Sequence, residues 1–308
     1  MNILRTCKGD SEFKAKARQH QSDFREKYFN NTVGYEEDIT HRQGGYGSYL
    51  KKEDINKGYI FIKEYKNRIL KYIQQNNPKK LKDTSLMLNL LRSEHIPYNL
   101  IIPMQEDMVA FKNVFNTILG YKAIEEINKV IIEYAPMPKE AYLNDGTAFD
   151  IYIEYLHTDN TVGIIGIEVK YTEEAYPLKK NSKEDKDIHD PRSRYCVVTD
   201  SSGYYKDGVI SELIKNDFRQ IWRNHILGAA LKENCDVKHF HSVHLYPQGN
   251  THFNNVIPKY RNLMTDKGNE SFKDITYERF FDLLKTYYTE DRRFQSWHNY
   301  LQDRYIVK

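Results

Sequence analysis

The chain has 308 residues, 46 of them Lys or Arg and 43 Asp or Glu, so its net charge is only +3. That near-balance excludes a nucleic-acid binder announced by global charge, and any such contact must come from local clustering. No stretch approaches the ~18 continuous apolar residues of a membrane span, and three scattered cysteines, Cys7, Cys196 and Cys235, make no disulfide framework.

The opening Met-Asn-Ile-Leu-Arg-Thr-Cys-Lys has no apolar signal core, so a reducing cytoplasm is the expected compartment. The length allows one large domain, or a domain with an extension. Residues 1–45 are polar and charged and read as an accessory region, ending in Gly44-Gly45-Tyr46-Gly47. Those glycines lack the Lys-Ser/Thr of a phosphate-binding P-loop and read as a turn.

Residues 50–76 read as helical. Lys71, Lys79, Lys80 and Lys82, around Asn76-Asn77-Pro78, form the densest basic group; a solvated turn is the plain reading and a nucleic-acid contact the functional one. Asp83-Thr84-Ser85 offers an N-cap for a helix through about His95. On that helix Leu86, Leu90 and Glu94 share a stripe, and a carboxylate on an apolar stripe needs a partner. Residues 105–119 continue the helical layer, and Asn128 to Tyr134 reads as the first strand.

The segments Thr147–Tyr155 and Thr161–Tyr171, rich in β-branched and aromatic residues, flank the turn His157-Thr158-Asp159-Asn160 and predict an antiparallel hairpin. Residues 173–194 are densely charged and read as a mobile surface insertion. A strand is expected at Tyr195–Thr199. A helix is expected over 211–232 with Ser211 as its cap, and Gln220, Arg223 and Asn224 share one polar face of it. His239-Phe-His-Ser-Val-His244 reads as the last core strand. His239 and His241 alternate onto one face and His244 onto the other, which does not make a tetrahedral zinc site. Tyr246-Pro247-Gln248-Gly249-Asn250 is a turn, and the tail to Lys308 reads as helical packing.

The hairpin carries the chemistry. Strand alternation puts Glu168 and Lys170 on one face, and with the right register Asp150 joins them across the hairpin. Ile164, Ile165, Ile167 and Val169 make an apolar run that suits a strand buried on both faces, where a Glu and a Lys require partners. Two carboxylates suit Mg²⁺ or Mn²⁺, which polarise a phosphorus centre and acidify a bound water. Lys170, kept charged by the acids, would orient that water or stabilise charge in the transition state.

Asp150 with Glu168-Val169-Lys170 resembles the signature of the PD-(D/E)xK nuclease superfamily, with Phe149 standing where a Pro is usual. More narrowly, the chain resembles a bacterial group of restriction-endonuclease-like proteins. That likeness lies in Ser93-Glu94-His95, Tyr98-Asn99-Leu100, Gly146 to Asp150, Ile165 to Tyr171, Gln220 to His225 and Leu245 to Asn250. The resemblance implies an α/β fold with a restriction-endonuclease-like core of helix, three-stranded antiparallel meander, helix and strand, with helical additions at both ends. It implies an accessory region over 1–82, a nuclease core over 83–260 and a helical extension over 261–308.

It also implies Asp150 and Glu168 as metal ligands, with the Val169 carbonyl as a third, and Lys170 as the catalytic lysine. Glu94, from the first core helix, would complete the metal site, with Glu125, Glu126 and Glu133 as weaker rivals. Gln220 and Arg223 would hold a phosphate or steady Glu168. The expected activity is Mg²⁺-dependent (or Mn²⁺-dependent) hydrolysis of DNA phosphodiester bonds, with a restriction or defence role, and a two-fold homodimer would suit cleavage of a palindrome. The rival readings are a nuclease-fold protein that binds nucleic acid without cutting it, and a metal hydrolase of small phosphoesters. The 25 tyrosines and 14 phenylalanines supply core and, at the surface, faces for stacked bases.

Overall fold

The computed structural model describes residues 5–29, 45–175, 177–289 and 291–308. Residues 30–44 of the polar segment, Gly44 included, lie outside the described residues. Among the described residues five α-helices precede the sheet: α1 (Glu12–Tyr28), α2 (Lys66–Asn76), α3 (Thr84–Leu88), α4 (Ile96–Met104) and α5 (Met108–Leu119). Then come β1 (Ile124–Tyr134), β2 (Phe149–His157) and β3 (Val162–Val169). The crossover from β3 carries α6 (Lys183–His189), α7 (Arg194–Ser202), α8 (Ile210–Leu213) and α9 (Asn216–Asn234), and leads into β4 (His239–Tyr246). The chain closes with α10 (Thr251–Asn262), α11 (Asp266–Ser271), β5 (Phe272–Thr276), α12 (Tyr277–Tyr287) and α13 (Arg292–Tyr305). No described helix is long and apolar enough to cross a membrane.

The five strands form one sheet in the order β1-β2-β3-β4-β5. The pairs β1/β2 and β2/β3 are antiparallel, while β3/β4 and β4/β5 are parallel, so the sheet is mixed. Both faces are covered, as β3's apolar run requires. Ile164 packs with Phe149, Phe240 and the α9 residues Trp222 and Ile226. Ile165, Ile167 and Val169 enter the opposite core with residues of α4, α5, α12 and α13. Helix α9 lies close on β4 because residue 228 is glycine: a Cβ there would stand 1.9 Å from the Phe240 ring. That close approach fixes how far the polar face of α9 stands from β3.

Several predicted elements differ. Residues 50–76 are a 3₁₀ turn (Lys52–Lys57) and α2, separated at Gly58, whose φ of +61° suits glycine. The Asp83 cap forms, accepting from the Ser85 amide at 2.9 Å, but the helix stops at Leu88. There the backbone pairs instead with the segment before it, Leu90 N–H to the Ser48 carbonyl (3.0 Å) and Leu50 N–H to the Leu88 carbonyl (2.9 Å). Glu94 therefore sits in a turn and does not continue a Leu86/Leu90 stripe. Tyr195–Thr199 is helical within α7, started by the Ser193 hydroxyl and held where the Trp222 indole donates to Thr199 Oγ1 at 2.9 Å. The expected 211–232 helix is broken into α8 and α9 at Lys215, so Ser211 caps nothing. β4 is not the last strand, because the tail contributes β5 to the sheet beside it. The charged insertion contains α6, anchored through buried Ile188.

Candidate active site

Asp150 stands at the start of β2, Glu168 near the end of β3, and Lys170 just beyond it. The β2/β3 register pairs Ile151 with Ile167, so its continuation sets Asp150 opposite Glu168. Asp150 Oδ2 accepts the Val169 amide at 2.7 Å, and the Lys170 amide donates to the Leu245 carbonyl at 2.8 Å, which pins this corner to β4. The Lys170 ammonium forms an ion pair with Glu168.

Glu168 is 4% exposed and Lys170 5%, and charges so buried persist only with partners. The polar face of α9 supplies them. Gln220 Nε2 donates to Glu168 Oε1 at 2.6 Å, and the Asn224 amide donates to Oε2. Gln220 thus steadies Glu168. Asn224 does so equally; its spacing four residues after Gln220 was the signal in the sequence.

The three ionisable groups perturb one another. Burial, then repulsion from Glu168, holds the Asp150 carboxyl well above its ordinary value. Burial also raises Glu168, against the pull of Lys170. For Lys170 burial alone would favour the neutral amine, but Glu168, Asp150 and Glu173 together reverse this and keep the ammonium. Two repelling carboxylates, with Asp150 only partly buried, are a donor set that fits a hard divalent cation.

The other predicted residues are held by partners of their own. Arg223 binds Thr147 Oγ1 (2.7 Å), Asp145 Oδ2 (2.5 Å) and Glu184, tying α6 and the loop before β2 to α9. Tyr195 donates its hydroxyl to the same Asp145, a residue the sequence did not single out. Glu94 is held by Arg92 at 2.8 Å. Glu125 and Glu126 are exposed on β1. Two further acids bear on the ionisable groups, Glu133 on Asp150 and Glu173 on Lys170. Glu133 is flanked by the pairs Ile132–Ile151 and Tyr134–Phe149, which set it across from Asp150. Its φ is +62°, and it lies 3.4 Å from Lys80 of the basic group. Glu173 accepts the Ser93 and Tyr171 amides at 2.9 and 3.0 Å.

Among the described residues, one set of three potential ligands closes to within 4.8 Å, and it lies at the far end of the sheet: His157, Asp159 and His239. Asp159 takes both imidazoles at 2.9 Å. The rings stack at 3.7 Å with 17° between their planes, so their in-plane lone pairs run side by side. That arrangement suits a shared carboxylate better than a shared ion.

A family model for the PD-(D/E)XK nuclease superfamily matches residues 8–307. No curated protein and no solved structure matches the chain. With the family matched over nearly its whole length, the chain belongs to the PD-(D/E)XK nuclease superfamily.

Proposed function

We propose that this protein is a metal-dependent deoxyribonuclease that hydrolyses DNA phosphodiester bonds. One observation carries the reading: Asp150, Glu168 and Lys170 meet at one corner of the sheet, and α9 spends two amide side chains on orienting Glu168. A surface Glu-x-Lys pair would have no use for such bracing.

Asp150 and Glu168 would hold the cation, with the Val169 carbonyl as a further ligand. A bound Mg²⁺ or Mn²⁺ supplies Lewis-acid activation of the phosphorus centre and a more acidic water. Lys170, charged at neutral pH, orients the attacking water and offsets negative charge as it builds on the phosphoryl oxygens. Gln220 and Asn224 keep Glu168 in place. Lys80, beside Glu133, brings the basic group of the 78–82 turn to the side of the site, where a phosphate backbone would pass.

The test is cleavage of linear, supercoiled and methylated DNA with Mg²⁺ or Mn²⁺, by wild type and Lys170→Ala. Cleavage lost in a variant that keeps its circular dichroism spectrum supports the assignment. Cleavage that survives in the variant overturns it. DNA bound but never cut by wild type would instead favour a binding protein on a nuclease fold.

A further inference from the structure

At the opposite end of the sheet, where β4 and β5 begin, lies a cavity of about 410 Å³. Four lysines line it: Lys232 from the last turn of α9, Lys238 ahead of β4, Lys267 from α11 and Lys273 from β5. From His239, paired with Gly163, it is five residues along the strands to His244, paired with Glu168. At about 3.3 Å per residue, the cavity is roughly 16 Å from the Asp150–Glu168 corner.

The lysines are poorly neutralised. Lys238 meets Asp236 at 3.1 Å on an exposed edge, and Lys267 donates to the Ser202 carbonyl at 2.6 Å. Among the described residues the Lys232 and Lys273 side chains form no ion pair or hydrogen bond, and Glu270 is the one acid lining the cavity. Burial and the neighbouring Lys267 and Lys238 push the Lys232 ammonium toward its neutral form; burial and Arg261 do the same to Lys273, against the pull of Glu270. Four cations thus converge on a cavity whose lining includes a single acid, Glu270.

We propose that this cavity binds phosphate groups, at a site separate from the Asp150–Glu168 corner. Lysine recognises phosphate as a compact charge with three rotatable donors, and several lysines around one cavity suit a group with several oxygens. The volume falls within the ~300–1,000 Å³ of small-molecule sites, so the cavity holds a di- or triphosphate. Tyr121, 45% exposed at the rim, offers a face on which a base can lie. The same chemistry is presented by a free nucleoside phosphate and by a nucleic-acid backbone.

The experiment is calorimetric titration of the full chain, in an Asp150→Ala background that removes cleavage, with pyrophosphate, ATP and a short DNA duplex. Comparison is with the same protein carrying Lys232→Gln and Lys273→Gln. Pyrophosphate is expected to bind, and the double variant to bind at least tenfold more weakly while melting no lower than its parent, because it loses two crowded ammonium groups. Lys238→Gln, on an exposed chain, gives a second reading should the double variant fail to fold. ATP binding without a matching change for duplex identifies a nucleotide site; duplex binding weakened in parallel identifies a strand contact. Equal affinity in the parent and the lysine variants, or no binding of any of the three at millimolar concentration, overturns the proposal.

Discussion

Gln220 and Asn224 stand one helical turn apart on α9 and hold opposite oxygens of a single carboxylate, that of Glu168. The Asn224 bond is buried and the Gln220 bond half-buried, and the carboxylate they hold is buried, so each amide is a required donor. Losing one leaves an acceptor without its partner in a site that water enters poorly.

Asn224→Leu should therefore lower stability by about 1–3 kcal/mol, the usual cost of an unsatisfied buried group. It should also weaken divalent-metal binding by roughly 10–100-fold, as loss of a ligand-orienting partner does. Urea denaturation and a Mn²⁺ titration read the two effects separately. Unchanged metal affinity would show that Glu168 needs no bracing from α9.

Asp150 has the opposite sign. Its carboxyl is raised in the folded protein, so its contribution to stability is present below the ordinary carboxylate range and is lost as pH rises through the raised value. Without metal, Asp150→Asn should melt higher than wild type at neutral pH, and the gain should shrink in acid. Melting curves at several pH values, in chelator, test this; an equal or lower melting temperature at neutral pH contradicts it.

The buried imidazoles predict an acid limb. Burial lowers His225, His241 and His244 to about 3. A depressed histidine contributes stability that is present above its unfolded pKa of about 6.5 and is lost as pH falls through its folded value. Stability should thus fall steadily between about pH 6.5 and 3. His244, whose Nε2 is buried without a partner and whose ring lies 4.7 Å from Phe253, is the one to remove: His244→Phe should flatten the limb. Denaturant midpoints against pH measure it.

Gly228→Ala tests the seat of α9. The new methyl would meet the Phe240 ring, and overpacking of this kind costs about 1–3 kcal/mol. Because α9 carries Gln220 and Asn224, the same shift should lower cleavage even at temperatures where the protein stays folded. Cleavage that tracks wild type while stability drops would separate the two.

The local signals that reached the site were those of period and type. Alternation put Glu168 with Lys170, the apolar run Ile164–Val169 announced a strand covered on both faces, and helical spacing joined Gln220 to Asn224. Such patterns depend only on backbone geometry and survive without knowledge of neighbours. What the sequence could not decide was where backbone groups find partners across long separations. Residues 84–95 look helical until the 48–50 segment claims their amides and carbonyls, which removes Glu94 from its expected stripe. Tyr195–Thr199 reads as a strand by composition, yet packing on Trp222 makes it a helix. The β-strand hidden in the tail forms because β4 offers an open edge. Arg223, on the polar face of a helical wheel, is drawn to Asp145 and Glu184 when the fold brings those charges together. Sequence determined which chemistry this chain carries; tertiary hydrogen bonding and charge pairing decided which residues surround it.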